Sequence, residues 1–144
     1  MSLRPGGAAN PAANIAALGG TAIQVGVIGA DAEAAALREV MVARGINTST
    51  LVVDATRPTT LKTRIMAQMG LRFPQQVARL DRLSRQPITP EIEGQIRAVL
   101  RAQFTNAHAV LLSDYGGGDA HATPRPVDAR LCARAAHRRC TGPA

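Results

Sequence analysis

Two short apolar runs, separated by enough chain for one helix, constrain this sequence most. Ala22-Ile23-Gln24-Val25-Gly26-Val27-Ile28-Gly29 is mostly apolar and rich in β-branched residues, which is the pattern of a buried strand. Leu51-Val52-Val53 has the same character and follows a loop that starts at Ile46. Between them, Asp31 is placed to cap a helix through Ala43, with Ala35, Leu37, Val40 and Met41 on its inner side and Gly45 at its end. A strand, helix and strand in this order make a parallel crossover unit. The fold class is therefore α/β.

Upstream, Pro5-Gly6-Gly7-Ala8-Ala9-Asn10 opens a helix of small residues that ends at Gly19-Gly20. Asn10 is expected to cap this helix. A helix N-terminus beside a glycine turn can hold a hydroxylated or anionic ligand; the plainer reading is a capped core helix. Downstream, 59–69 reads as a half-exposed strand, 70–74 as a turn and 76–80 as the returning strand of a hairpin. Thr89-Pro90-Glu91 starts another helix, in which Ile92, Ile96, Val99, Leu100 and Phe104 recur at helical spacing. Ala109-Val110-Leu111-Leu112 is expected to be a buried strand ending in Ser113-Asp114-Tyr115-Gly116. Ligands of open α/β sheets collect at such strand ends.

The 144 residues suffice for one domain with a core. The net charge of +7 raises nucleic acid as a partner. Residues 1–118 carry +4 and residues 119–144 carry +3, so the charge is concentrated in a short tail. Aromatics make up only 2% of the chain and do not interleave with the arginines, which argues against nucleic acid. A basic binding module that uses the tail is kept as the alternative of a different class. No apolar run reaches the ~18 residues of a membrane span, and the N-terminus lacks a signal-peptide core, so no membrane partner is expected. Both cysteines, Cys132 and Cys140, lie in the tail, which fits a cytoplasmic protein. The spacing of Cys132, His137 and Cys140 is a poor match to zinc sites, and no metal site is expected.

Polar residues cluster at four places. Besides Gly6-Gly7 with Asn10 and Asn14, Thr59-Thr60 accompany Lys62 and Arg64, Gln75-Gln76 accompany Arg79 and Asp81, and Asp114 precedes glycines. Lys62 and Arg64 share a face of a strand, and such a pair can hold a phosphate. Arg79 and Asp81 share a face of the returning strand. The competing reading is a solvated hairpin face whose ion pairs contribute ~0–1 kcal/mol each. These clusters alone name no reaction.

Gly6-Gly7-Ala8-Ala9-Asn10, then Ala12, with Gly19-Gly20 and Gly29 at fitting distances, resembles the N-terminal signature of the PfkB/ribokinase family of sugar kinases. Ala13-Asn14-Ile15-Ala16-Ala17-Leu18, Arg57-Pro58-Thr59-Thr60-Leu61-Lys62-Thr63-Arg64, Gln75-Gln76-Val77-Ala78-Arg79-Leu80-Asp81 and Leu111-Leu112-Ser113-Asp114-Tyr115-Gly116 narrow the likeness. It is to the members acting on D-glycero-β-D-manno-heptose 7-phosphate, which in many bacteria form the first domain of a bifunctional kinase/adenylyltransferase of ADP-heptose biosynthesis. The resemblance implies a doubly wound, ribokinase-like sheet, present in part, with a small β-hairpin lid at about 57–82. It implies transfer of the ATP γ-phosphoryl, with Mg²⁺, to the anomeric hydroxyl of a sugar phosphate. Gly6, Gly7 and Asn10 are the implied sugar contacts. Lys62, Arg64, Gln76 and Arg79 are the implied lid contacts, and Asp114 lies near the phosphoryl-transfer end. The resemblance leaves a homodimer open for the full-length family member. Ribose, fructose phosphates and nucleosides are the substrates of the in-family alternative.

Two departures shape the expectation. The family has a strand bearing a sugar-binding aspartate before the glycine motif, and here four residues precede Pro5. The family's catalytic base lies in a Gly-Ala-Gly-Asp segment further downstream. Residues 1–118 are thus expected to be a partial kinase domain without its catalytic residue, inactive alone. Asp119-Ala120-His121-Ala122-Thr123-Pro124 stands where the family has an apolar step and Leu-Thr-Pro. Codons allowed for these residues, shifted by one nucleotide, can read Thr-Leu-Thr-Pro. The basic tail, 119–144, is accordingly expected to be frameshifted and disordered.

Overall fold

A computed structural model describes residues 3–7, 9–68, 70 and 73–113. The expectations for Asp114 and for 119–144 lie outside these residues. The elements in chain order are α1 (Ala9–Ala17), β1 (Ala22–Ile23), β2 (Gly26–Ile28), α2 (Ala32–Val42), β3 (Ile46–Asn47), β4 (Leu51–Val53), β5 (Leu61–Ala67), β6 (Gln75–Arg82) and α3 (Pro90–Phe104).

The parallel unit forms, but in two pieces. The run expected as one strand divides at Gln24-Val25, so that β1 pairs with β3 and β2 pairs with β4. The cause is a register mismatch. Ile23 faces Asn47 and Gly26 faces Leu51, which leaves one more residue on the second run than on the first. The surplus is taken up in a turn where Leu51 N donates to Thr48 O at 3.2 Å. Thr50 Oγ1 ties this turn to Gln24 O at 2.7 Å. From α2, Arg38 donates Nη1 to Thr48 O at 2.6 Å and Nη2 to Leu51 O at 3.1 Å. One guanidinium thus satisfies two carbonyls at the interruption, where ladder bonds are lost.

Asp31 caps α2 as its sequence implies, with Oδ1 accepting from Ala34 N at 3.0 Å. The inner face of α2 is set by Ala34, Leu37 and Met41; Ala35, expected inward, is exposed. Two alanines in succession give no sequence signal for which one faces the core. Met41 packs with Ala9, Ala12, Ala22 and Ile46, joining α1 to β1 and β3. Ile28, Ala34 and Leu51 form a second cluster, and Leu37 touches both.

α1 begins at Ala9, so Asn10 lies inside its first turn and does not cap it. The turn before it supplies the acceptors: Ala9 N donates to Gly6 O at 3.0 Å and Asn10 N to Gly7 O at 3.2 Å. Pro11 is tolerated there because first-turn N–H groups have no intrahelical partner. At its other end Gly20 N donates to Ile15 O at 2.9 Å and Gly19 N to Ala16 O at 3.0 Å. Gly19 has φ +84°, so this is a left-handed cap that glycine tolerates best.

β5 and β6 form the expected antiparallel hairpin. α3 starts at its Thr-Pro-Glu signal, with Thr89 Oγ1 accepting from Ile92 N at 3.4 Å; it lies against β4, and Ile92 is its buried residue. The strand expected at 109–112 is absent, and Leu111 and Leu112 are exposed. No described strand pairs with this segment, and a strand without a ladder leaves its N–H and C=O groups to water.

Candidate functional site

Three polar regions surround the parallel unit. The first is the turn before α1. Gly7 has φ +48°, which explains its glycine. Gly6 has no positive φ, and a Cβ on it would meet no atom within 4 Å. Neither packing nor backbone strain therefore demands a glycine at position 6. Asn10 and Asn14 are both exposed on the helix that follows.

The second region is one face of the hairpin. Lys62 pairs with Asp81 and Arg64 with Arg79, so all four residues share that face. A register shift between Ile65 and Met66 sets Met66 opposite Gln76. Met66 lies on the same face as Lys62 and Arg64 by alternation, and the irregularity brings Gln76 onto it as well. Counting by twos along β6 would have put Gln76 on the other face. The ion pair on this face runs along the strand, from Arg79 Nε to Asp81 Oδ1 at 3.0 Å. It is not the cross-strand pairing that charge alternation suggests. Lys62 and Arg64 have no ion-pair partner among the described residues.

The third region lies at the hairpin's base and was only half legible beforehand. Thr59, grouped in sequence with Lys62 and Arg64, turns inward instead. Its Oγ1 accepts from Gly29 N at 2.9 Å, and its own N–H donates to Asp31 Oδ2 at 2.9 Å. Arg82, at the end of β6, donates Nη2 to Asp31 Oδ2 at 3.1 Å and Nη1 to Glu33 Oε1 at 2.9 Å. Nearby, the buried Asp54 accepts from Thr56 Oγ1 at 2.6 Å and from Arg57 Nε at 2.7 Å. Arg57 Nη2 continues to the carbonyls of Gln86 and Pro87, at 3.2 and 3.0 Å. Both chain segments at the hairpin base are thus fastened together. Asp31 was legible as a cap; its contacts with Thr59 and Arg82, and the Asp54–Arg57 pair, join positions that no local pattern connects.

Hydrogen bonding from Thr59, with lesser help from Ala34 N–H and the Arg82 charge, holds the Asp31 carboxyl below the ordinary aspartate range. Thr56 does the same for Asp54, with Arg57 adding to it. Folded values below the unfolded ones mean that both groups stabilise the fold fully above a pH of about 4 and lose this contribution as pH falls through the folded values. Urea midpoints are therefore expected to stay level from neutral pH to about 5 and to drop below about 4. Asp54→Asn should start lower and show a shallower acid drop. Equal acid slopes for the two proteins would remove Asp54 from this account.

Among the described residues, no three His, Cys, Asp or Glu side chains converge on a point that could hold a metal ion. The carboxylates of Asp31 and Asp54 are already engaged by threonines and arginines. Neither carboxylate is thus free to take a cation without giving up these bonds. No described helix is long and apolar enough to cross a membrane. No hydrogen bond or ion pair joins the Gly6-Gly7 turn to the hairpin face among the described residues.

Residues 1–73 match the model of the pfkB family of carbohydrate kinases. The chain is 37% identical over 131 residues to the Bifunctional protein HldE of Pelobacter propionicus, covering 91% of this chain and 25% of that protein. It is 44% identical over 113 residues to the Bifunctional protein HldE of Granulibacter bethesdensis, covering 78% of this chain and 22% of that one. The corresponding figures for the Helicobacter pylori protein of the same name are 37% over 113 residues, 78% and 23%. The chain thus spans about a quarter of the length of these relatives. With a parallel α/β unit, a glycine turn before its first helix and a two-stranded hairpin beside it, the chain belongs to the pfkB family of carbohydrate kinases.

Proposed function

We propose that this chain supplies the sugar-binding edge and the lid hairpin of a kinase that phosphorylates the anomeric hydroxyl of D-glycero-β-D-manno-heptose 7-phosphate. The observation that carries this reading is the placement of Arg64 directly opposite Arg79, with Lys62 one step along the same face. Like charges facing each other across a ladder are unfavourable. A phosphate between them turns repulsion into charge-assisted hydrogen bonding, for which arginine's planar fork is suited. Gln76, brought to this face by the register shift, adds a neutral donor. Gly6 fits the same reading, because nothing among the described residues requires a glycine there and a bare backbone admits close approach of a sugar. ATP and Mg²⁺ would be held by residues other than those described. Gly-Ala-Gly-Asp, the segment the resemblance assigns to the base, has no match in these 144 residues, so the chain alone is expected to bind and not to turn over.

Binding is therefore the quantity to measure. Calorimetry of the 144-residue chain should detect heptose 7-phosphate and give a far weaker signal with unphosphorylated heptose. Arg64→Ala should lower that affinity about tenfold, the loss of one charge-assisted contact. Without ligand it should leave the hairpin at least as stable as before, because a repulsive pair has been removed. Unchanged affinity would take the phosphate off this face. Equally tight binding of ribose or fructose phosphates would keep the kinase family but dismiss the heptose.

A further inference from the structure

The hairpin has little to rest on. Every residue of β6 is exposed, and so are Ile65, Met66 and Ala67 of β5. Two strands without a covering layer are marginal in water. What holds this pair must therefore act at its base, and there a single carboxylate is bonded to both legs. Asp31 Oδ2 accepts from Thr59 N at 2.9 Å, two residues before β5, and from Arg82 Nη2 at 3.1 Å, the last residue of β6. Its other oxygen, Oδ1, caps α2.

We propose that Asp31 is the positioning residue of the hairpin, a pin that fixes the orientation of both legs against the N-terminus of α2. Each oxygen has its own task, so the cap and the pin are separable. Arg82 closes the arrangement by donating to Glu33 Oε1 as well, which spreads one guanidinium over two carboxylates of the same helix turn. Gly29 completes it from below: its N–H reaches Thr59 Oγ1, holding Thr59 where its own N–H meets Asp31. Among the described residues, the other side-chain tie at this base is Arg57 to the Gln86 and Pro87 carbonyls, beyond the end of β6. That contact joins the two connecting segments without orienting the strands. The inference goes beyond the proposed substrate and does not depend on it, because the pin is formed without ligand.

Amide hydrogen exchange on the full 144-residue chain without ligand tests it. Arg82→Gln removes the pin's second leg and leaves the cap intact. Exchange across β5 and β6 is expected to speed up about two- to fivefold, the effect of an exposed ion pair, with α2 unchanged. Asp31→Asn keeps a capping oxygen but sets an amide NH2 against the Thr59 N–H, so it cuts both legs and should speed hairpin exchange more than Arg82→Gln does. The double variant should fall short of the sum of the two single effects, since the Arg82–Asp31 contact can be lost only once. Hairpin exchange that is unchanged in Arg82→Gln, or that rises in parallel with exchange in α2, would overturn the proposal. So would additive effects in the double variant.

Discussion

Gly29→Ala is expected to lower stability by roughly 3 kcal/mol, the combined cost of overpacking and a disturbed buried hydrogen bond. A Cβ at this position would lie 2.5 Å from Arg57 O, 2.7 Å from Thr59 N and 3.1 Å from Pro58 C. All three are backbone atoms, so no flexible side chain can swing aside. The Gly29 N–H also donates to Thr59 Oγ1 inside the protein. Relief of the clash requires the 57–59 segment to move, and this segment carries the N–H that meets Asp31. The substitution should therefore shift the urea midpoint and also loosen the hairpin base. Gly26→Ala is the control, because its Cβ would meet only Leu51 Cδ2 at an ordinary 3.9 Å. Equal losses at both positions would mean that glycine flexibility, and not the close approach of the 57–59 segment, sets the cost.

What could be seen beforehand follows from how far each signal reaches along the chain. The α2 cap, the Thr-Pro-Glu start of α3 and the alternation of the hairpin are local, and each forms as its residues imply. The split of the first strand is not local. It depends on one surplus residue in a segment some two dozen positions later, and apolar character at 22–29 is silent about it. Asn10 has the side chain of a cap, but the Gly6-Gly7 turn allows the helix to begin two residues earlier than such a cap would set. At 109–112 the apolar pattern is that of a strand, yet a strand is a property of two segments, and no described segment pairs with this one. The site shows the same division. Lys62, Arg64 and Arg79 share a face because alternation says so, whereas Gln76 joins them only through an irregularity that alternation cannot anticipate. The inward turn of Thr59 owes its geometry to Gly29, thirty residues away in sequence.

Met41→Ala is expected to cost about 3 kcal/mol, within the range for large-to-small changes in a core. Met41 and Ile46 are the large side chains most completely enclosed among the described residues. Their neighbours are mostly alanines: Ala9, Ala12 and Ala22, with Ala13 and Ala16 at the margin. Among the described residues only Ile46 and Leu37 bring longer side chains to this wall, so a vacated space is filled only in part and the cost should lie near the middle of the range. Met41→Leu keeps the volume and should cost under about 1.5 kcal/mol. Val42→Ala, on the exposed side of the same helix, should stay within about 0.5 kcal/mol. The consequence reaches the site because Ala9 and Ala12 belong to α1, whose first turn is held by the Gly6 and Gly7 carbonyls. Loss of the methionine should therefore raise amide exchange at Ala9 and Asn10 while leaving the hairpin unaffected. Exchange that rises equally in β5 and β6 would show that the molecule opens as one unit, and that this core does not act on the glycine turn separately.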